Sequence, residues 1–141
     1  MEFTLHPVSW RDAEPLLRQV REAVFMREQG VSVELEWDGL DDACHHVLAL
    51  NDRGLAMACG RITPEAHIGR IAVLKDWRNM QVGTAILEAL LVYAKSQHYP
   101  EVDLAAQVQA LAFYQRLGFV EEGEVFMDAN MPHLKMHLAL L

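Results

Sequence analysis

The chain has 141 residues, 52% hydrophobic and 23% charged, with a formal net charge of −8 at pH 7. That size and balance suit one folded domain with a real core, residues 1–141, and exclude a disordered chain. The acidity opposes nucleic acid and anionic membrane as partners, while it fits a cationic amine and plain solubility equally well. No run of about 18 apolar residues is present, so no membrane-spanning helix is expected. The opening MEFTLHPVSWRD lacks the basic start and apolar block of a signal peptide, which makes a cytoplasmic location the default. Cys44 and Cys59 are too few for a disulfide framework and lack zinc-ligand spacing, so no metal site is expected.

Taken in order, Glu2 to Val8 alternates as a strand. Ser9 with Asp12 resembles a capping box, and a helix is expected to run through Val20, Val24 and Phe25 until Gly30 ends it. From Val31 to His46 the chain is acidic (Glu34, Glu36, Asp38, Asp41, Asp42) and aperiodic, which reads as a loop with room for a helical turn. The acids there suit a solvated loop or the recruitment of a cationic acceptor. His46 to Leu50 and Leu55 to Thr63 read as strands joined by the Asn51-Asp52-Arg53-Gly54 hairpin turn. Pro64-Glu65-Ala66 then turns the chain into a strand ending at Leu74.

A polar loop, Lys75 to Met80, leads into a helix from Gln81 that is apolar almost all round to Tyr93. Tyr99-Pro100 breaks the chain before a buried strand, Val102 to Ala106. Gln107 to Leu117 has helical spacing closed by Gly118, and two strands follow, around Phe119 to Phe126 and from His133 onward. The expected fold is α/β of the α+β kind: a mixed, mostly antiparallel central sheet flanked by helices, in the order β-α-β-β-β-α-β-α-β-β.

The helix at Gln81 carries the chemistry. Its first N–H groups lack intrahelical acceptors and lie at the positive end of the macrodipole. Gly83 and Ala85 leave that turn nearly free of side chains, and Arg78 adds positive charge beside it, as an anion site needs. Close packing of a buried helix against a sheet explains small residues there equally well. Neither G-x-x-x-x-G-K-[ST] nor G-x-G-x-x-G is present.

The stretch from Val73 to Ala85 resembles the pyrophosphate-binding motif [RQ]-x-x-G-x-[GA] of the GNAT superfamily of acyl-CoA N-acyltransferases. Arg78 matches its first position and Gly83 its last, while Gln81 stands at the middle glycine. A left-handed Gln81 carries a penalty of about 1 kcal/mol or more, so a helical first-turn conformation is expected. Gln107, Ala110, Phe113-Tyr114 and Leu117-Gly118-Phe119 resemble the family's N-x-x-A-x-x-x-Y-x-x-x-G-F, with Gln107 in place of Asn. Val24 to Val31, followed by Asp38 and His46, and Met131-Pro132-His133 with Met136, are similar to the V-F-V-x-E-Q...D...H and G-I-P-H-x-x-M signatures of a group of small bacterial members with mostly unassigned substrates. These motifs follow one another in family order and span nearly the whole chain.

The resemblance implies a direct transfer of acetyl from acetyl-CoA, the only cofactor expected, to a primary amine of a small molecule or peptide. It places the pyrophosphate on the amides of Gln81, Val82, Gly83, Thr84 and Ala85, with Arg78 beside them. The pantetheine arm pairs with Ile71, Ala72 and Val73 across a splay between two central strands, and Gln107, Phe113 and Tyr114 complete the coenzyme side. Tyr114 is the expected general acid, against the plainer reading of a core aromatic. Glu28 and His46 are the leading base candidates, with Asp38, Asp42, His45 and His133 also open. A second reading, a non-catalytic acyl-CoA-binding or sensing module with room for a homodimer, follows from the departures at Gln81 and Gln107. A nucleotide-phosphate enzyme fits poorly, because no metal-binding acid follows a phosphate loop.

Overall fold

The computed structural model describes residues 2–140. In chain order it has β1 (Phe3–Val8), α1 (Trp10–Arg21), a π-helical segment (Glu22–Glu28), α2 (Val33–Glu36), a 3₁₀ turn (Asp41–Ala43), β2 (His45–Asn51), β3 (Ala56–Ile62) and β4 (His67–Val73). There follow a 3₁₀ turn (Lys75–Trp77), α3 (Val82–Ser96), β5 (Glu101–Gln107), a 3₁₀ turn (Val108–Ala110), α4 (Leu111–Arg116), β6 (Val120–Asp128) and β7 (Met131–Ala139). The strands form one sheet ordered β1-β2-β3-β4-β5-β7-β6, antiparallel throughout except for the β4–β5 pair. Among the described residues no helix is long and apolar enough to cross a membrane.

The near-continuous apolarity of α3 reflects its position against one face of the sheet. Val82, Ile86, Leu87, Leu90 and Ala94 are buried there among Met57, Ala58, Ile68, Leu104 and Met136. Each large side chain among them contributes about 1.5–3 kcal/mol by leaving water. Gly60 in β3 allows this approach, because a Cβ there would sit 2.7 Å from Ile86 Cγ2. On the opposite face α1 packs Ala13, Leu17 and Val20 against Leu48, Cys59 and Ala72.

Two expectations are corrected. The helix from Ser9 does not run on regularly to Gly30: it widens after Arg21 into the π segment, where the Gln29 N–H reaches the Val24 carbonyl at 3.2 Å and the Val31 N–H reaches that of Phe25 at 2.8 Å. The wider turns keep Val24 in the core, 5% exposed, and re-aim the residues that follow. The acidic stretch, moreover, is not a solvated loop free to recruit cations. Glu36 and Asp41 are buried at 2% and 6% exposure.

Arginines from three separate elements hold that stretch down. Arg21 of α1 bonds Glu36 through Nε at 2.7 Å and Asp41 through Nη1 at 2.7 Å. Arg61 of β3 bonds Asp41 at 2.9 Å and also grips Asp38. Arg70 of β4 donates through Nη2 to the Leu35 and Glu36 carbonyls at 3.1 and 3.0 Å. Its Nε lies 3.2 Å from Glu36 Oε2 but off the hydrogen-bonding direction. The Arg21 guanidinium is further flanked by the Trp10 and Trp37 rings at 5.4 and 4.8 Å, a cation–π arrangement. Burial pushes the Asp38 carboxyl up, but its Arg61 hydrogen bond, the Leu40 N–H and the charges of Arg61 and Arg70 overcome this and hold it at about 2.

Candidate active site

The parallel strands β4 and β5 pair only at His67↔Asp103 and Ile68↔Leu104. On its other side β4 shifts register between Cys59 and Arg61, with Arg70 at φ 52, so a bulge bends it away. The β5 strand stays paired with β7 from Glu101↔Ala139 to Gln107↔His133. A gap therefore opens toward the carboxyl ends of both parallel strands, the splay expected of the central strands. Leu74 donates its N–H to the Met57 carbonyl at 2.9 Å, so Val73, one step earlier and opposite Ala58, is the pair whose backbone groups point away from β3. The Val73 N–H faces the gap.

The start of α3 borders that gap. Its first intrahelical bond runs from the Ala85 N–H to the Gln81 carbonyl at 3.0 Å, leaving the amides of Val82, Gly83 and Thr84 without helical acceptors. No side chain caps them, and the first turn holds no acid. The amino ends of α1 and α2 are capped instead by Ser9, 3.1 Å from the Asp12 N–H, and Ser32, 3.3 Å from the Leu35 N–H. Packing does not demand glycine at 83, where an added Cβ would meet only Val73 Cγ2 at an ordinary 3.5 Å. The space above this turn is open to an anion.

Gln81 departs from expectation. It is left-handed, at φ 66 and ψ 11, rather than in a helical first-turn conformation. Asn79 is left-handed too, at φ 65, so the tight reversal from the 3₁₀ turn into α3 imposes this geometry on two non-glycine residues. Arg78 does stand beside the helix start, but its Nη2 holds both oxygens of Glu28, at 2.8 and 2.9 Å, and its Nε holds the Val73 carbonyl at 3.0 Å. An expected coenzyme residue and an expected base are thus paired with each other.

Across the gap lies a cleft of about 450 Å³, walled by Phe25, Gln29, Arg70, Ile71, Tyr114 and His133 among others. Tyr114 is braced edge-on by Phe113 at 5.0 Å and Phe119 at 5.9 Å. Burial pushes its phenol up to about 12, so it holds its proton at neutral pH. Gln107, at the end of β5, donates to Gln29 Oε1 at 3.1 Å and ties the π segment across the cleft. Ala72 instead faces the core beneath α1, 2% exposed. As the partner of Cys59 next to the outward-facing Val73 pair, it turns its backbone groups toward β3, so the expected contact of Ala72 with the coenzyme is corrected to its neighbours Ile71 and Val73.

A parallel pair opening at its carboxyl end beside an uncapped helix start narrows the fold family sharply, and comparison with known proteins agrees. The family model described as an acetyltransferase (GNAT) domain matches residues 18–140. The chain belongs to the GNAT acetyltransferase family. It is similar to the uncharacterized N-acetyltransferase YjcF of Bacillus subtilis, 37% identical over 121 residues that cover 83% of this chain and 86% of that one. A crystal structure of an acyl-CoA N-acyltransferase from Pseudomonas aeruginosa superposes with a TM-score of 0.81 at 31% identity, covering 98% and 99% of the two chains. An acetyl-CoA-bound GNAT acetyltransferase from Elizabethkingia anophelis shares the fold, with TM-score 0.76, 18% identity and 98% coverage of each chain. GNAT membership supports acyl transfer from an acyl-CoA in general.

Within this GNAT site the base candidates separate. His46 is 1% exposed, with Nε2 2.9 Å from the Asp41 carbonyl oxygen, and burial lowers its affinity for a proton. It anchors the acidic stretch and does not reach the cleft. His45 stacks on Tyr93 at 3.7 Å, away from the cleft, and burial first, then the neighbouring His46, lowers it as well. Neither Glu28 nor Asp42 lines the cleft, whereas Asp38 and His133 do. The cleft also brings in His67, Arg70 and Asp128, which the sequence reading missed. They lie at the start of β4, at its middle and at the end of β6, positions that only the sheet order unites.

Proposed function

We propose that this chain transfers an acetyl group from acetyl-CoA to a primary amine of a small molecule or peptide, by direct attack within a ternary complex. Acetyl-CoA supplies the activated thioester. The observation carrying this reading is the uncapped, acid-free start of α3 lying beside a β4 edge with no strand partner beyond Ile68. Amides of Val82, Gly83, Thr84 and Ala85, with Gln81 at the cap, hold the pyrophosphate, and Arg78 exchanges Glu28 for phosphate oxygen. Backbone of Ile71 and Val73, on either side of Ala72, pairs with the pantetheine arm as a strand would, Phe113 supports Tyr114, and Gln107 borders the arm from the β5 side. The Val73 N–H faces the position of the reacting carbonyl oxygen, where a fixed donor stabilises developing charge. Tyr114 holds a proton for the departing sulfur.

Calorimetric titration with acetyl-CoA, followed by thiol release across polyamines, amino acids, amino sugars, aminoglycosides and short peptides, tests the reading. Saturable binding and amine-dependent thiol release are expected. An absence of binding heat at millimolar acetyl-CoA refutes it, and tight binding with no thiol released favours a non-catalytic acyl-CoA-binding module.

A further inference from the structure

We infer that His133 is the group that removes the proton from the incoming ammonium, through Nε2; this rests on the transferase reading above. An amine at neutral pH arrives protonated, and it has no lone pair for attack until that proton leaves. His133 Nδ1 lies 2.8 Å from the Met131 carbonyl oxygen. A carbonyl oxygen only accepts, so in the neutral ring Nδ1 carries the hydrogen and Nε2 the lone pair. Nε2 has no protein partner among the described residues, yet it is not sealed: the sealed, unpartnered side-chain nitrogens are Arg70 Nε and His137 Nδ1. His133 is 7% exposed, its ring stacks on Phe126 at 5.8 Å and 25°, and it lines the cleft with Tyr114. Its orientation and tautomer are therefore both fixed.

Its place on the sheet suits the role. His133 sits opposite Gln107, the last residue of β5, at the open end of the splay. The other imidazole in the cleft, His67, is bonded to Asp103 at 2.6 Å at the closed end. From His67 to Val73 an extended strand spans about 20 Å at about 3.3 Å per residue, too far for His67 to serve the same reacting atoms. Asp38 and Glu36 are committed to arginines, and Asp128 stands exposed at the end of β6. Glu28 does not line the cleft, whether or not Arg78 holds it.

The proton count closes. Nε2 takes one proton from the ammonium and passes it to solvent. The amine nitrogen bonds to the carbonyl carbon as the carbon–sulfur bond breaks. Tyr114 gives its proton to sulfur and recovers the one that the new amide nitrogen sheds.

The test combines kinetics with nitrogen NMR of the unsubstituted protein. His133→Gln and His133→Ala are expected to bind acetyl-CoA within about twofold of the parent while turnover on the best amine of the panel falls about 10²- to 10⁴-fold. Added imidazole is expected to raise turnover of His133→Ala and not that of the parent. Turnover within threefold of the parent in either variant overturns the assignment. So does an NMR spectrum placing the neutral-ring hydrogen on Nε2, a measurement that holds even if both variants fail to fold. A parent that binds acetyl-CoA but releases no thiol refutes the transferase reading itself, and the base with it.

Discussion

Replacing Gln81 with glycine separates the backbone geometry of the α3 start from its chemistry. Gln81 is left-handed at φ 66 and ψ 11, is exposed, and caps nothing with its side chain. Removing that side chain therefore forfeits no capping hydrogen bond. An L-residue in this conformation carries about 1–2 kcal/mol that glycine does not, while glycine's freer unfolded chain takes back about 0.4–1 kcal/mol. The difference is a stabilisation of about 0.5–1 kcal/mol. For a domain of this size, at about 3 °C per kcal/mol, Tm rises by about 1.5–3 °C. Asn79→Gly is the internal control. It shares the left-handed geometry at φ 65, but asparagine tolerates it, so its gain should be distinctly smaller. Thermal unfolding followed by circular dichroism reads both variants, and acetyl-CoA affinity of Gln81→Gly should be retained or improved. A lower Tm for Gln81→Gly, or an equal gain for Asn79→Gly, refutes the reasoning.

Other consequences follow from the same geometry. Tyr114→Phe is expected to lower kcat by about 10²-fold or more with acetyl-CoA affinity unchanged, read by thiol release and calorimetry; undiminished turnover removes the phenol from the reaction. Arg21→Met removes the hydrogen-bonded cation from buried Glu36 and one of the two from Asp41, and should lower urea-unfolding stability by about 3–5 kcal/mol. Asp38 is held at about 2 and Asp41 is also lowered, burial pushing its carboxyl up but Arg21 and Arg61 outweighing it. Both bind protons more weakly folded than unfolded, so their stabilisation is fully present above about pH 4 and is lost as pH falls toward 2, as acid titration of unfolding should show. Gly60→Ala drives a methyl group to 2.7 Å from Ile86 and should cost about 1–3 kcal/mol in unfolding, with weaker acetyl-CoA binding because α3 must shift.

What the sequence disclosed and what it withheld divide along chain separation. The α1 cap is legible because Ser9 and Asp12 are neighbours, and the apolar run of α3 announces a helix with a broad buried face, although Val92 is left 68% exposed. The strand splay was expected from resemblance, since only the fold brings Ile68 beside Leu104. The acids between Glu34 and Asp42 misled because their neutralising arginines lie in other elements, 20 residues from Asp41 in the case of Arg21 and 23 from Asp38 in the case of Arg61. His46 looked available at a strand start, yet Trp10 packs against it at 5.7 Å and Asp41 closes over it. Gln81 is left-handed against the sequence expectation because local conformational preference is a small energy beside the closure of the loop around it.

The π segment bears on how such sites diverge. Each residue in an ordinary helix advances the chain by about 100° about its axis, so losing a single residue between Glu22 and Glu28 would swing Gln29 off Gln107 and rotate Phe25 out of the cleft wall. One in-frame codon lost or gained would thus recontour the amine side while leaving the start of α3 where it is. Relatives with unlike acceptors could arise by that route without any exchange of the groups that carry out the transfer.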